Sequence, residues 1–220
     1  MPINTLRNAS HASARLETER EMKTILTIVL TGLLMWSAPA SAKTYSLTVS
    51  VHKDVAKLTR NEVKEILKRA SRIMHDAKCD VTFTLGGNIG RFDVPAKEIT
   101  TPDQRDAVHN VKANVKIVDK IGFCFAEGVF RGCGFPTEQP PGPPGISIIL
   151  TRNEASLANR WAHEVGHRMG LSHRQGRDKK PLMTACAVEP QSVKLNRNEC
   201  KCFLEGPLSC GKPEIIRCQN

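Results

Sequence analysis

Apolar residues alternate with mostly polar ones from Thr44 to Val51, placing Tyr45, Leu47, Val49 and Val51 on one side of an extended chain. That period of two predicts a strand. Thr59-Arg60-Asn61-Glu62 has the form of a capping box, and Val63, Ile66, Leu67, Ala70, Ile73 and Met74 follow at helical spacing. An amphipathic helix over 60–76 is expected. Val81 to Leu85, ending at Gly86-Gly87, predicts a second strand; Val115 to Ile121 and Ile146 to Leu150 predict two more. Between these last two, Gly128, Gly132, Gly134 and the run Pro140-Pro141-Gly142-Pro143-Pro144-Gly145 predict loop. Thr151-Arg152-Asn153-Glu154 is a second capping box, expected to open the next helix, and a last helix is expected over 190–202 with a cysteine-tied tail. No repeat and no interdomain linker is visible.

The first residues read differently. Met22-Lys23 offers a second start, followed by an apolar run from Thr24 to Trp36 and then Ser37-Ala38-Pro39-Ala40-Ser41-Ala42. A short charged stretch, an apolar core and an A-x-A site form a secretory signal. The apolar run falls short of the roughly 20 residues a membrane span needs. Cleavage is expected after Ala42, dividing the chain into a leader over 1–42 and one domain over 43–220. That domain is long enough for a sizeable core.

The chain carries 32 basic and 22 acidic residues. Four of the basic and three of the acidic ones lie in the leader, which leaves the domain a net charge of +9. Such a surface favours anionic partners. The basic residues are scattered, however, and Tyr45 is the chain's one tyrosine. No aromatic-interleaved patch points to nucleic acid. All eight cysteines fall in the domain, and an even count in an exported chain predicts disulfides. Eight cysteines allow 105 pairings, so spacing alone leaves connectivity open.

The candidate chemistry lies in His163-Glu164-Val165-Gly166-His167-Arg168-Met169-Gly170-Leu171-Ser172-His173, which reads H-E-x-x-H-x-x-G-x-x-H. On a helix, positions four apart share a face, roughly 6 Å apart along the axis. His163 and His167 can therefore reach one metal ion. Glu164 can hold a water at that metal rather than bind the ion itself. Gly170 permits a left-handed exit from the helix, so that His173 turns back as third ligand. Three protein ligands leave a fourth tetrahedral position open, as in catalytic zinc sites. His52, His75 and His109 belong to no ligand spacing, and Trp161, two residues before His163, reads as core.

These eleven residues resemble the signature of the metzincin metallopeptidases. In Pro181-Leu182-Met183-Thr184, Met183 matches the methionine that this group places in a turn beneath the metal. The resemblance implies an α/β (α+β) catalytic domain: a twisted mixed sheet, an active-site helix, a Met-turn and a C-terminal helix. It implies one zinc per chain, held by His163, His167 and His173, with Glu164 as general base toward a zinc-activated water. The expected protein is a secreted or periplasmic zinc endopeptidase acting on protein or peptide substrates. It is expected to be a monomer without stable membrane insertion after signal cleavage.

An extended substrate would pair with an edge strand near Ala126 to Arg131, so Ala126, Gly128 and Arg131 are candidate binding residues. Thr184 to Val188 would wall the adjoining pocket. The run Gly128-Val129-Phe130-Arg131-Gly132-Cys133-Gly134 is most similar to the adamalysin-type arrangement, which implies that Cys133 pairs with Cys200 or Cys202; a local Cys124–Cys133 bridge is the rival. Arg174 after His173, and the lack of a tyrosine after Met183, depart from individual subfamilies. Residues 1–42 contain no cysteine, so no cysteine-switch latency is expected. A metal-binding protein without turnover would have no need of Glu164, which favours the enzyme.

Overall fold

The computed structural model describes residues 42–94, 97–134, 146–173, 181–184 and 193–206. The expected signal peptide, the Pro140–Gly145 run, Val188 and three of the cysteines (Cys186, Cys210 and Cys218) lie outside them. The fold is mixed α/β. Strands β1 (Lys43–Leu47) and β2 (Val49–His52) precede helix α1 (Arg60–Asp76). Then come β3 (Val81–Leu85), β4 (Gly90–Phe92), β5 (Glu98–Ile99) and helix α2 (Pro102–His109). Strands β6 (Val115–Val118), β7 (Lys120–Phe123), β8 (Glu127–Phe130), β9 (Gly132–Gly134) and β10 (Ile148–Thr151) follow. A 3-10 turn (Glu154–Ser156), α3 (Ala158–Arg168) and α4 (Arg197–Glu205) complete the described elements.

The main sheet has the order β4-β2-β6-β10-β9; its first four strands are parallel and β9 runs antiparallel along one edge. Strands β6 and β10 are buried on both faces. Val115, Ile117, Ile148 and Leu150 face a core shared with α1 and α3, through residues such as Leu67, Met74, Trp161 and Val165. Val118 and Ile149 face a smaller core with Ile99, Val108 and Ile121. Two further sheets flank it: the parallel pair β1-β3, and β5-β7-β8.

The strand expected over 44–51 is one run of alternating burial split between two sheets. The side-chain carbonyl of Asn114 accepts from Thr48 N–H at 2.8 Å and from Thr48 Oγ1 at 2.9 Å. Thr48 is thus withdrawn from strand pairing, with β3 taking the residues before it and β4 and β6 those after. The strand expected over 115–121 divides likewise at Asp119, whose N–H bonds to Lys97 O at 2.8 Å as the chain leaves the main sheet for the three-stranded one. Strand β10 begins at Ile148 rather than Ile146.

Helix α1 keeps both its predicted bounds and its cap. Glu62 N–H donates to Thr59 Oγ1 at 3.2 Å, and Thr59 N–H to Glu62 Oε2 at 2.6 Å. The second capping box does not form. Thr151 still belongs to β10, Glu154 begins the 3-10 turn, and α3 starts after Leu157 without a side-chain cap. The Glu154 carboxylate is taken by arginines instead. The last helix starts at Arg197, not 190, because Asn196 and Glu199 make the capping box there. Helix α2 was not expected, although Thr101-Pro102-Asp103-Gln104 carries a full box; only Val108 and His109 of its residues are buried, so it lacks an apolar stripe.

Two disulfides join Cys79 to Cys200 and Cys124 to Cys133, and no described cysteine is free. The expected pairing of Cys133 with Cys200 or Cys202 is therefore overturned, and the local rival is present. Alternation along β9 explains it. Gly132 and Gly134 face α3, so Cys133 points to the opposite side of the sheet and joins the smaller core. Cys202 and the half-buried Cys200 belong with the other core. The adamalysin-type detail loses its support with that bond.

The loop expected between 122 and 146 contains β8 and β9. The edge strand of the main sheet is Gly132–Gly134, not Ala126–Arg131; Glu127–Phe130 instead pairs antiparallel with β7 at the margin of the three-stranded sheet. Residues 126–131 bear exposed, short or β-branched side chains and link the two sheets.

Candidate metal centre

Helix α3 is buried nearly all round, with Trp161, Ala162, His163, Glu164, Val165 and Gly166 all inaccessible. Trp161 is core as expected, its indole N–H donating to Ala155 O at 2.9 Å. Gly166 lies between the two helical histidines. A Cβ there would sit 2.5 Å from Met183 Sδ and 3.2 Å from Phe203 Cζ. Glycine costs a helix interior about 1 kcal/mol relative to alanine, and here it lets the fully buried Met183 press against the helix backbone.

The helix ends as the motif requires. Gly170 has φ 80°, in the left-handed region. Leu171 N–H bonds to Gly166 O and Gly170 N–H to His167 O, both at 3.0 Å, which is the Schellman pattern. The turn brings His173 back toward the helix. It also aims Leu171 O at the ring of His167.

The three rings converge. His167 Nε2 lies 3.1 Å from His163 Nε2 and 3.0 Å from His173 Nε2. The far nitrogens fix the tautomers of the helical pair: His163 Nδ1 lies 2.7 Å from Leu182 O, and His167 Nδ1 lies 2.8 Å from Leu171 O. A carbonyl only accepts, so each Nδ1 carries the hydrogen and each Nε2 turns a lone pair inward. Two such lone pairs cannot bond to each other at that distance. Burial drives both histidines toward the neutral form, His163 well below its ordinary value and His167 to about 3, with neighbouring histidine and Arg160 charge adding to it. Tetrahedral zinc at roughly 2.05 Å from each nitrogen separates its ligands by about 3.3 Å. The donor set, its neutrality and its spacing therefore fit a zinc ion with one position left open; His163, His167 and His173 are the only His, Cys, Asp or Glu group of this kind among the described residues.

Glu164 is 3% exposed. Burial pushes its carboxyl up to about 7, against the opposing pull of the Arg160 charge and of the Gly134 N–H that bonds to it; the charge of Glu154 adds to the rise. The room for this carboxylate comes from β9. A Cβ on Gly132 would run into Glu164 Oε1, and one on Gly134 would sit 2.7 Å from Glu164 O and 3.1 Å from both Glu164 Oε2 and His167 Cβ.

Of the remaining candidates, Met183 follows Leu182, whose N–H bonds to Lys194 O at 2.8 Å. Thr184 is half-buried beside Met183, while Ala126 and Gly128 are exposed on or beside β8. Arg131 joins the site indirectly, through Glu154 at 3.4 Å. His52 and His109 are buried and hydrogen-bonded, and His75 lies on the surface. The motif did not signal Arg160, Glu154, Gly132 or Gly134. Arg160 was findable as a residue one helical turn before Glu164, and the glycines as a period-two pair on a strand.

No protein family matches the chain, and no curated protein matches it. Among solved structures the chain is similar to metalloproteinase-II from Bacteroides fragilis, at 18% identity and TM-score 0.45, over 77% of this chain and 57% of that one. It thus spans little more than half the length of the Bacteroides protein. It is also similar to archaemetzincin from Methanopyrus kandleri, at 14% identity and TM-score 0.44, over 78% of this chain and 98% of the other. A chaperone-substrate complex aligns at 11% identity and TM-score 0.41, over 75% of this chain and 35% of that one.

Proposed function

We propose that the chain is a zinc-dependent endopeptidase, exported after loss of residues 1–42 and active through its domain over 43–220. The observation that carries this reading is the convergence of three ring nitrogens beside a buried carboxylate. Two of the rings are locked by Leu171 O and Leu182 O with their lone pairs inward. Such a set holds one zinc, with Met183 as an apolar floor. Bound there, zinc supplies Lewis acidity, polarising a peptide carbonyl and acidifying water.

This chain's own residues supply the proton handling. Glu164, with a carboxyl pushed to about 7, matches what a base working near neutral pH requires. It accepts the proton of the attacking water on a carboxylate oxygen, then returns it to the departing amine nitrogen as the peptide bond breaks. No acyl-enzyme forms, so the cysteines remain free to act as staples. The two disulfides accord with an oxidising compartment, and no helix among the described residues is long and apolar enough to cross a membrane.

The test is casein hydrolysis by the purified protein, before and after chelation and after return of zinc. Hydrolysis lost to chelator and restored by one equivalent of zinc is expected. Stoichiometric zinc binding with no cleavage of casein or of a peptide library would instead make this a metal-binding protein.

A further inference from the structure

Behind Glu164 runs a chain of alternating charges. Arg160, one helical turn earlier, places Nη1 3.8 Å from Glu164 Oε1. Its Nε donates to Glu154 Oε2 at 3.1 Å. The other oxygen of Glu154 lies 3.4 Å from Arg131 Nη1. The side chains of Glu154, Arg160 and Glu164 are 10%, 7% and 4% exposed, whereas that of Arg131 is 58% exposed. Buried charges persist only when paired, and along this line each charge is paired with the next.

The two ends of Arg160 do different things. Its contact with Glu154 is a hydrogen bond that ties the first turn of α3 to the preceding 3-10 turn, fixing the guanidinium in place. At 3.8 Å its contact with Glu164 is too long for a hydrogen bond and acts as a charge. The direct donor to Glu164 is the Gly134 N–H. The two carboxylate oxygens are thereby distinguished. Oε1 lies on the side of Arg160 and Gly132, while Oε2 lies on the side of Gly134 that also faces His167.

We propose that Arg160, anchored by Glu154, is a positioning residue: it holds Glu164 Oε1 against β9 and so leaves Oε2 turned toward the histidines for proton transfer. The inference rests on the reading of Glu164 as the base. Without Arg160, the buried carboxylates of Glu154 and Glu164 would repel each other with no cation between them. The backbone at Gly132 closes one way out, so the Glu164 carboxylate would leave its place beside Gly134.

The experiment uses Arg160→Met and Arg160→Lys in the secreted protein, with two independent readouts. Crystal structures of the variants should show the Glu164 carboxylate displaced from Gly134 N–H in Arg160→Met and retained in Arg160→Lys. On a fluorogenic casein-derived peptide, Arg160→Met should lose roughly 10–100-fold in kcat with KM changed less than about twofold, since a misplacement near 1 Å costs up to about 100-fold. Arg160→Lys should recover part of that loss. An unmoved Glu164 carboxylate, or an unchanged kcat accompanied only by a lower melting temperature, would overturn the proposal. If Arg160→Met does not fold, Glu154→Gln, which keeps the hydrogen bond and removes the charge, takes its place under the same criteria. If the wild-type protein cuts no peptide, the function reading fails, while the crystallographic comparison still decides whether Arg160 places the carboxylate.

Discussion

Two backbone carbonyls, Leu171 O and Leu182 O, decide which nitrogen His167 and His163 turn toward the metal. The histidines themselves were legible in the sequence because ligands are side chains at fixed spacing. Their acceptors were not, because a carbonyl has no residue type to recognise. Replacing His163, His167 or His173 by alanine should each remove most of the bound zinc, as read by metal analysis of purified protein; zinc content unchanged by all three would remove the site. Glu164→Gln should keep the zinc yet lose roughly 10²–10⁴-fold in hydrolysis, the usual worth of a general base. A different residue governs alkaline behaviour. Lys116 is 1% exposed, with Nζ 2.5 Å from Ser147 Oγ, and burial together with the Arg168 charge pushes its pKa from 10.5 down to about 7. Between those values the unfolded chain binds the proton that the folded one has released, so this group makes stability rise with pH, by at most about 1.4 kcal/mol per unit. Denaturant titrations from about pH 8 to about pH 9.5 should show that rise in the wild type and a flatter profile in Lys116→Met. Equal slopes would show that Lys116 is not buried in its neutral form.

Elements were legible where one local signal and one period agreed. For α1 the capping box and the apolar stripe agree, and its bounds match over 60–76. For α2 the box is present but the stripe is absent, and the helix went unseen. At Thr151 the box letters are present, yet tertiary pairing holds Thr151 in β10 and draws Glu154 to Arg160, so a correct local motif gave a wrong start. Strand β9 was hidden for the opposite reason: two of its three residues are glycines, which read as loop, and their purpose lies in the helix they face. Gly132→Ala should therefore act at a distance in sequence, lowering hydrolysis at least about tenfold by displacing Glu164 while zinc content stays at one per chain. Full activity in this variant would mean that the strand and helix separate easily. As a control on an element far from the chemistry, Thr59→Ala should cost about 1 kcal/mol in chemical unfolding and leave kcat alone.

At the scale of the molecule, the mixed α/β class followed from the order of strands and helices, whereas the allotment of strands to three sheets did not. That allotment depends on single residues such as Asn114 and Asp119 that break a continuous pattern. Cysteine pairing was illegible for a related reason, since it depends on which side of a sheet a cysteine faces. The two bonds differ in reach. Cys79–Cys200 spans 121 residues and joins the end of α1 to α4, whereas Cys124–Cys133 spans 9. In the chain-entropy model the long loop contributes about 5 kcal/mol, so Cys79→Ala/Cys200→Ala should lower the melting temperature markedly, as calorimetry would show; an unchanged melt would contradict it.

The short bond has another consequence. One side of β9 is glycine, leaning on the base, and the other is Cys133, moored to the preceding hairpin. Loosening that mooring frees one wall of the catalytic cleft and leaves the main cores intact. Durability and competence are thus secured by separate fastenings. A protein lacking Cys124–Cys133 should stop working, as it is warmed, well before it melts.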